Sequence, residues 1–247
     1  MGIYIEALIL YILLFFSGLA SVFTGTSPES FSPSAESVKI LMYYIPSLAL
    51  IWYLIFRARK IKTAENGGSL ASETQRSPEI RLVKAASSLQ ADKFKLVLNK
   101  NDLICVVTAL LSLLITGFGV SWLSGIGGTS GEASLTQIQL PSVSSITQWT
   151  VLCISCFFSS YLEESYFRYY LLTKRKEMNL SAPAAVILSV LMFSVCHMYA
   201  GVWSFVNAAV SGVILSILFL KFNSIHGIAI AHGLYNIAAF ILYSVMN

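Results

Sequence analysis

Long apolar runs alternate with short polar breaks along this chain. Seven runs stand out, over residues 3–23, 38–56, 103–123, 147–172, 182–200, 203–220 and 225–245. Each approaches the ~20 apolar residues that an α-helix needs to cross a bilayer. The fifth and sixth meet near Tyr199 to Trp203 and read as a tight helical hairpin. The pattern predicts an all-α, polytopic integral membrane protein of about seven transmembrane helices around an intramembrane polar cavity. The first run is long enough to span and no basic segment precedes it. It reads as a retained helix rather than a cleaved signal peptide.

The polar breaks divide the chain. Residues 1–56 hold two N-terminal transmembrane helices and 57–100 a cytoplasmic linker; 101–146 hold a third helix with an extracytoplasmic loop, and 147–247 a core of four helices. The linker carries ten of the sixteen Lys and Arg residues. Its centre, TAENGGSLASETQRSPE, has the composition of a spacer. Residues 79–98 combine helical periodicity with basic charge and suit either a helix lying on the membrane surface or an ordinary linker.

Charge placement orients the chain. Arg57, Arg59, Lys60 and Lys62 follow the second run, Lys174, Arg175 and Lys176 the fourth, and Lys221 the sixth. Residues 24–37 and 124–146 contain no Lys or Arg. Basic loops stay in the cytoplasm, so the N-terminus is expected inside and the C-terminus outside. Lys39, at the mouth of the second run, is the exception.

Composition supports the same class. The chain is 56% hydrophobic and only 11% charged, with a net charge of +4; soluble domains average about 25% charged residues. Cys105, Cys153, Cys156 and Cys196 all lie in apolar runs, which argues against a secreted disulfide framework. The C-x-x-C of Cys153 and Cys156 suits small packing residues better than redox or metal chemistry. No phosphate-binding loop, internal repeat or basic nucleic-acid face is present.

The candidate chemistry is polar and intramembrane. The stretches LEESYFRYYLL, MFSVCHMY and IAHGLYNIAAF place Glu163, Glu164, Arg168, His197, His232 and Asn236 inside apolar runs. Ionisable groups there are expensive and usually mark function. Glu164 and Arg168 are four apart, share a helix face and can pair. Glu163 is rotated about 100° away, toward the face of Phe167, and is left as a candidate general base. His232 and Asn236 also share a face and together can donate two hydrogen bonds to one oxygen, as an oxyanion hole requires. Each group has a plainer alternative as an interhelical hydrogen-bonding residue. His197 alone has no more than that to recommend it, Cys196 points away from it, and His226 reads as a helix-start residue. At ~1.5 Å per residue, Glu163, His197 and His232 lie about 15, 22 and 10 Å from the cytoplasmic helix ends. That depth suggests a cavity opening toward the cytoplasm.

In order, E-E-x-x-x-R (Glu163, Glu164, Arg168), F-x-x-x-H (Phe193, His197) and H-x-x-x-N (His232, Asn236) resemble the motifs of the CAAX-protease and bacteriocin-processing family (CPBP, or Abi), whose eukaryotic relatives are the type II CAAX prenyl endopeptidases. The resemblance covers about residues 147–247. It implies an intramembrane protease core in which Glu163 and His197 activate water and His232 and Asn236 form the oxyanion hole, with Glu164, Arg168 and Phe193 in support. Many bacterial members carry glycine directly after the motif arginine; this chain has Tyr169, so helix approach there is expected to differ.

The resulting expectation is an intramembrane endopeptidase in a prokaryotic plasma membrane, in contact with lipid and acting on a peptide or lipidated-protein substrate. No metal is assigned and no cofactor is predicted. Glu163, His197 and His232 nonetheless match a catalytic zinc's ligand set. The alternative is a non-proteolytic immunity or regulatory scaffold that binds a peptide or protein partner. A proton-coupled transporter is disfavoured by the lack of a repeat.

Overall fold

The computed structural model describes residues 2–24, 32–70, 99–126 and 143–246. Among them there are helices and no strands. Helix α1 spans Gly2–Thr24. Helix α2 (Pro33–Lys39) passes through a π-helical turn at Ile40–Tyr44 into α3 (Ile45–Leu70). Helix α4 is Lys100–Ile126. Helix α5 (Ile146–Glu164) leads through a second π-helical turn, Ser165–Tyr170, into the short α6 (Leu171–Thr173) and a 3₁₀ turn at Lys174–Lys176. Helices α7 (Ala182–Val195), α8 (Val202–Phe222) and α9 (Ile225–Met246) complete the bundle.

All seven predicted apolar runs form helix. Four stretches are long and apolar enough to cross a membrane: Pro33–Arg57, Lys100–Gly125, Val202–Phe222 and Ile225–Leu242. Gly2–Ser17 and Ala182–Val195 are apolar but shorter. The run over 147–172 carries the charged residues. The helix predicted to stop at residue 56 runs on to Leu70. The basic surface helix considered for residues 79–98 lies outside the described residues, as does most of the 124–146 loop.

Local sequence sets the helix ends. Ser145 and Gln148 form a reciprocal capping box at the start of α5, which satisfies backbone donors that a helix start leaves open. Ser181 caps α7, with a proline in its first turn. Gly201 joins the 3₁₀ turn at Met198–Ala200 to α8 at φ 92°, a conformation that side chains other than glycine's resist.

The bundle exposes large apolar side chains to its surroundings and buries a charged pair in its core. Phe16, Met42, Ile115, Trp122 and Val202 are all at least 65% exposed, whereas Glu164 and Arg168 are fully buried. Water would reverse that distribution; a lipid solvent favours it. The contacts also define two ends. Near the N-terminus of α1, Glu6 accepts a hydrogen bond from Tyr170 (2.6 Å) and lies 3.8 Å from Lys174, so α1 begins beside Lys174–Lys176. Helix α8 finishes with Lys221 at this basic end, where α9 then begins. The far end holds the start of α2, the start of α5 and the turn at Met198–Ala200. Glu36 in α2 accepts a hydrogen bond from Ser155 of α5 there.

Candidate active site

The first shaping feature is the π-helical turn directly after Glu164. All six of its residues are buried. Single π turns recur at functional sites, where they re-aim side chains and free backbone groups. Here neighbouring helices brace the turn. Ser189 of α7 donates to the Phe167 carbonyl (2.7 Å), Trp52 of α3 donates to Ser165 Oγ (3.2 Å), and Tyr166 donates to the Ala7 carbonyl of α1 (2.6 Å). Tyr169, directly after the motif arginine, packs edge-on against Phe219 of α8 at 6.1 Å between ring centroids. The aromatic ring fills the approach that a glycine would have left open.

Glu164 is sealed. Arg168 Nη1 donates to its Oε1 at 3.1 Å, as the four-residue spacing predicted, and both side chains have no exposed surface. His232 Nδ1 meets the same oxygen at 2.9 Å. The guanidinium also reaches the Gly212 carbonyl of α8 (3.4 Å) and stacks 4.3 Å from the Phe193 ring. Glycine at 212 allows this approach, since a Cβ would stand 3.3 Å from both Arg168 and Phe193. Gly233, next to His232, similarly lets α9 press against Phe157 of α5, where a Cβ would meet the ring at 2.6 Å.

Glu163 faces elsewhere. Together with His197 it lines a recess of about 170 Å³, shared with Leu14, Lys39, Tyr43, Ser159 and Tyr199. Its Oε2 is buried and has no hydrogen-bond partner among the described residues; His232 Nε2 lies 3.8 Å from it. The His232 ring thus stands between the two glutamates, bonded to Glu164 and turned toward Glu163.

His197 does not sit within a helix as its apolar run suggested. Helix α7 ends at Val195, and His197 occupies the turn that follows. Its Nδ1 lies 2.8 Å from the Phe193 carbonyl, one of the acceptors that a helix end leaves unpaired. A carbonyl only accepts, so Nδ1 carries the proton and the neutral ring's Nε2 is an acceptor. Phe193 lies between the histidines, 4.6 Å from the His197 ring and 6.0 Å from the His232 ring.

Asn236 is less directly joined. Its amide donates to Ser160 Oγ on α5 at 3.2 Å, one turn from the His232 contact, and neither His232 nor Asn236 lines the recess. His226 is removed from this group and bonds Tyr161 at 3.2 Å. Cys196 donates to Tyr11 (3.2 Å) and all four cysteines are free thiols. Among the described residues no three His, Cys, Asp or Glu side chains are arranged to hold a metal ion, the set Glu163, His197 and His232 included.

Toward the basic end, Tyr166, Phe167, Arg168 and Tyr170 fill the interior with no exposed surface. Toward the far end, the recess is walled by Ser17, Lys39, Tyr43 and Tyr199. These residues escaped sequence reasoning. Lys39 alone carried a signal, as the cation that broke the charge pattern; the tyrosines are indistinguishable from lipid-facing aromatics until the fold places them.

Residues 145–238 match the family model described as type II CAAX prenyl endopeptidase Rce1-like. The match covers all three motifs from Glu163 to Asn236 and bears out the resemblance read from them. No curated protein and no solved structure matches the chain.

Proposed function

We propose that this protein is an intramembrane endopeptidase that hydrolyses a peptide bond of a membrane-associated or lipidated substrate. One observation carries the reading: Glu163 and His197, from different helical elements, line the same recess, with a Glu163 oxygen that has no hydrogen-bond partner among the described residues. The Rce1-like match over the same residues supports it.

The residues divide the work as follows. A water in the recess donates to the Glu163 carboxylate and to His197 Nε2, which is left as an acceptor because Nδ1–H is held by the Phe193 carbonyl. Glu163 takes the proton as the water oxygen attacks the peptide carbonyl. His232 and Asn236 do not line the recess, so the carbonyl oxygen has to pass beyond Glu163 toward α9; there the tetrahedral oxyanion accepts from Asn236 Nδ2, which has a second hydrogen beyond the one given to Ser160, and from His232 Nε2. Since His232 Nδ1 donates to Glu164, a ring that donates from Nε2 must carry both protons. Arg168 and that imidazolium then balance Glu163 and Glu164. Glu163 finally passes its proton to the leaving amine.

This scheme assigns no step to a metal. Cleavage by purified protein should persist in a tight zinc chelator; loss in chelator with recovery on added zinc overturns the metal-free step. The decisive experiment compares membrane peptides of cells carrying wild-type protein with those carrying Glu163→Gln. A membrane peptide that accumulates uncleaved in the variant, and is cut by the purified wild type, is the expected result. A variant that leaves every membrane peptide unchanged and retains the biological role overturns the enzyme in favour of a scaffold.

A further inference from the structure

We infer that Lys39 sets substrate specificity: its ammonium takes a carboxylate of the bound peptide, at a position within about two residues of the scissile bond. The inference rests on the reading of Glu163 and His197 as a hydrolytic pair, and adds a chemical feature of the peptide they cut. It gives a role to a residue outside the 145–238 match.

Lys39 is built into the recess. It lines the same cavity of about 170 Å³ as Glu163 and His197, and is the one Lys or Arg among the described residues that do so. Two contacts hold it. Glu36, three residues earlier on α2, lies 3.5 Å from Nζ, and its carboxylate is itself fixed by the Ser155 hydroxyl of α5. The Tyr44 ring centroid lies 5.3 Å from Nζ, within the range of a cation–π contact. Lys39 and Tyr44 are five residues apart, which on a regular α-helix would turn them about 140° from each other. The π-helical turn at Ile40–Tyr44 starts directly after Lys39, and its wider winding brings the ring back to the ammonium. Lys39 also breaks the charge pattern, since residues 24–37 before it contain no Lys or Arg. A cation that the charge bias disfavours has another reason to be there.

The ammonium has donors to spare. Nζ carries three hydrogens, and the Glu36 contact is loose and half exposed on the lysine side. Such pairs contribute little on their own, so a substrate carboxylate competes on favourable terms. Lys39 is not needed to neutralise the catalytic acids either, because in the scheme above Arg168 and the His232 imidazolium balance Glu163 and Glu164. A recess of this size holds about two residues of extended chain at ~3.4 Å each. The group at Lys39 and the carbonyl at Glu163 therefore belong to neighbouring residues of one peptide. The carboxylate comes from an Asp or Glu side chain or from the peptide's own C-terminus, which a flexible point charge recognises alike.

The test uses the full chain in phosphatidylcholine nanodiscs and N-terminally palmitoylated random hexapeptides, made as one pool with a C-terminal carboxylate and one with a C-terminal amide. Peptides retained by Glu163→Gln and peptides cut by the wild type are sequenced by mass spectrometry. Both sets should be enriched about tenfold in a carboxylate at one fixed position, the scale of one hydrogen bond to a charged group. Enrichment of Asp or Glu within the amide pool identifies a side chain; enrichment of the carboxylate pool alone identifies a C-terminus. In the Glu163→Gln background, Lys39→Met should abolish the preference, Lys39→Arg should keep it, and Lys39→Glu should turn it toward Lys and Arg. Lys176→Met, which removes a charge at the basic end, should leave it unchanged. Retention with no carboxylate preference, a preference that survives Lys39→Met, or no retained peptide at all overturns the inference. Cleavage without the preference leaves the protease reading standing alone. A Lys39-dependent preference in retention without cleavage leaves carboxylate recognition standing and removes the protease, so the two readings fail separately.

Discussion

Glu163 and Glu164 are neighbours in sequence and opposites in surroundings. Glu164 has no exposed surface and shares one oxygen between Arg168 and His232. Glu163 keeps 19% of its side chain exposed, faces the recess and, among the described residues, has His232 as its ion-pair neighbour at 3.8 Å. About 100° of helix rotation separates them. Two carboxylates one residue apart can therefore serve different ends: one holds a buried cation and orients an imidazole, the other remains available to water. What distinguishes them is the face each is given, not the side chain.

The strongest way to break this comparison is to neutralise each acid in turn. Glu163→Gln should reduce turnover by about 10²-fold or more, the usual contribution of a general base, with little change in thermal stability in detergent. Glu164→Gln should do the reverse in emphasis. It leaves the buried Arg168 charge uncompensated, and breaking a buried pair costs about 3–5 kcal/mol. A Glu164→Gln protein as stable as the wild type would remove the distinction. The double variant Glu164→Gln with Arg168→Met sharpens it, because removing both charges should recover most of the stability that either single change loses.

Next in size are the close helix approaches that seal the Glu164 side. Gly212→Val would place carbon against Arg168 and Phe193, where even a Cβ stands at 3.3 Å. Overpacking of this kind costs about 1–3 kcal/mol. Gly119→Val on α4, where a Cβ meets nothing within 4 Å, is the matched control. Equal melting temperatures for the two variants would show that the ion pair is not confined by α8.

Much of this organisation is legible in the chain. Since lipid permits few other solutions, the apolar runs give the long helices, though not α2 or the extension of α3 to Leu70. The four-residue spacing of Glu164 and Arg168 gives their pairing, and the rotation from Glu164 to Glu163 gives the latter's separate face. Three features are not legible. The π turn at Ser165–Tyr170 depends on braces from α1, α3 and α7 that no local pattern encodes. His197 lies beyond the end of α7 because Gly201 and the hairpin geometry end the helix, although the apolar run continues past it. The place of the recess depends on which side of the cluster the aromatic side chains fill, and Tyr166 and Tyr199 look alike in sequence while one plugs the interior and the other walls the recess.

The smallest expected effect concerns Ser160, the residue that holds Asn236. Its hydroxyl is fully buried and accepts from the Asn236 amide at 3.2 Å. Asn236 lines no part of the recess, so its position relative to the His232 ring depends on this contact. Ser160→Ala removes one neutral hydrogen bond, worth about 1 kcal/mol, or about fivefold in rate if it is felt only in the transition state. Substrate binding does not involve the amide in this scheme, so kcat should fall about fivefold while KM stays unchanged. Ser160→Thr, which keeps the hydroxyl, should restore most of the loss. A change confined to KM, or a loss that threonine does not rescue, would place Asn236 outside the transition state and leave His232 as the sole donor to the oxyanion.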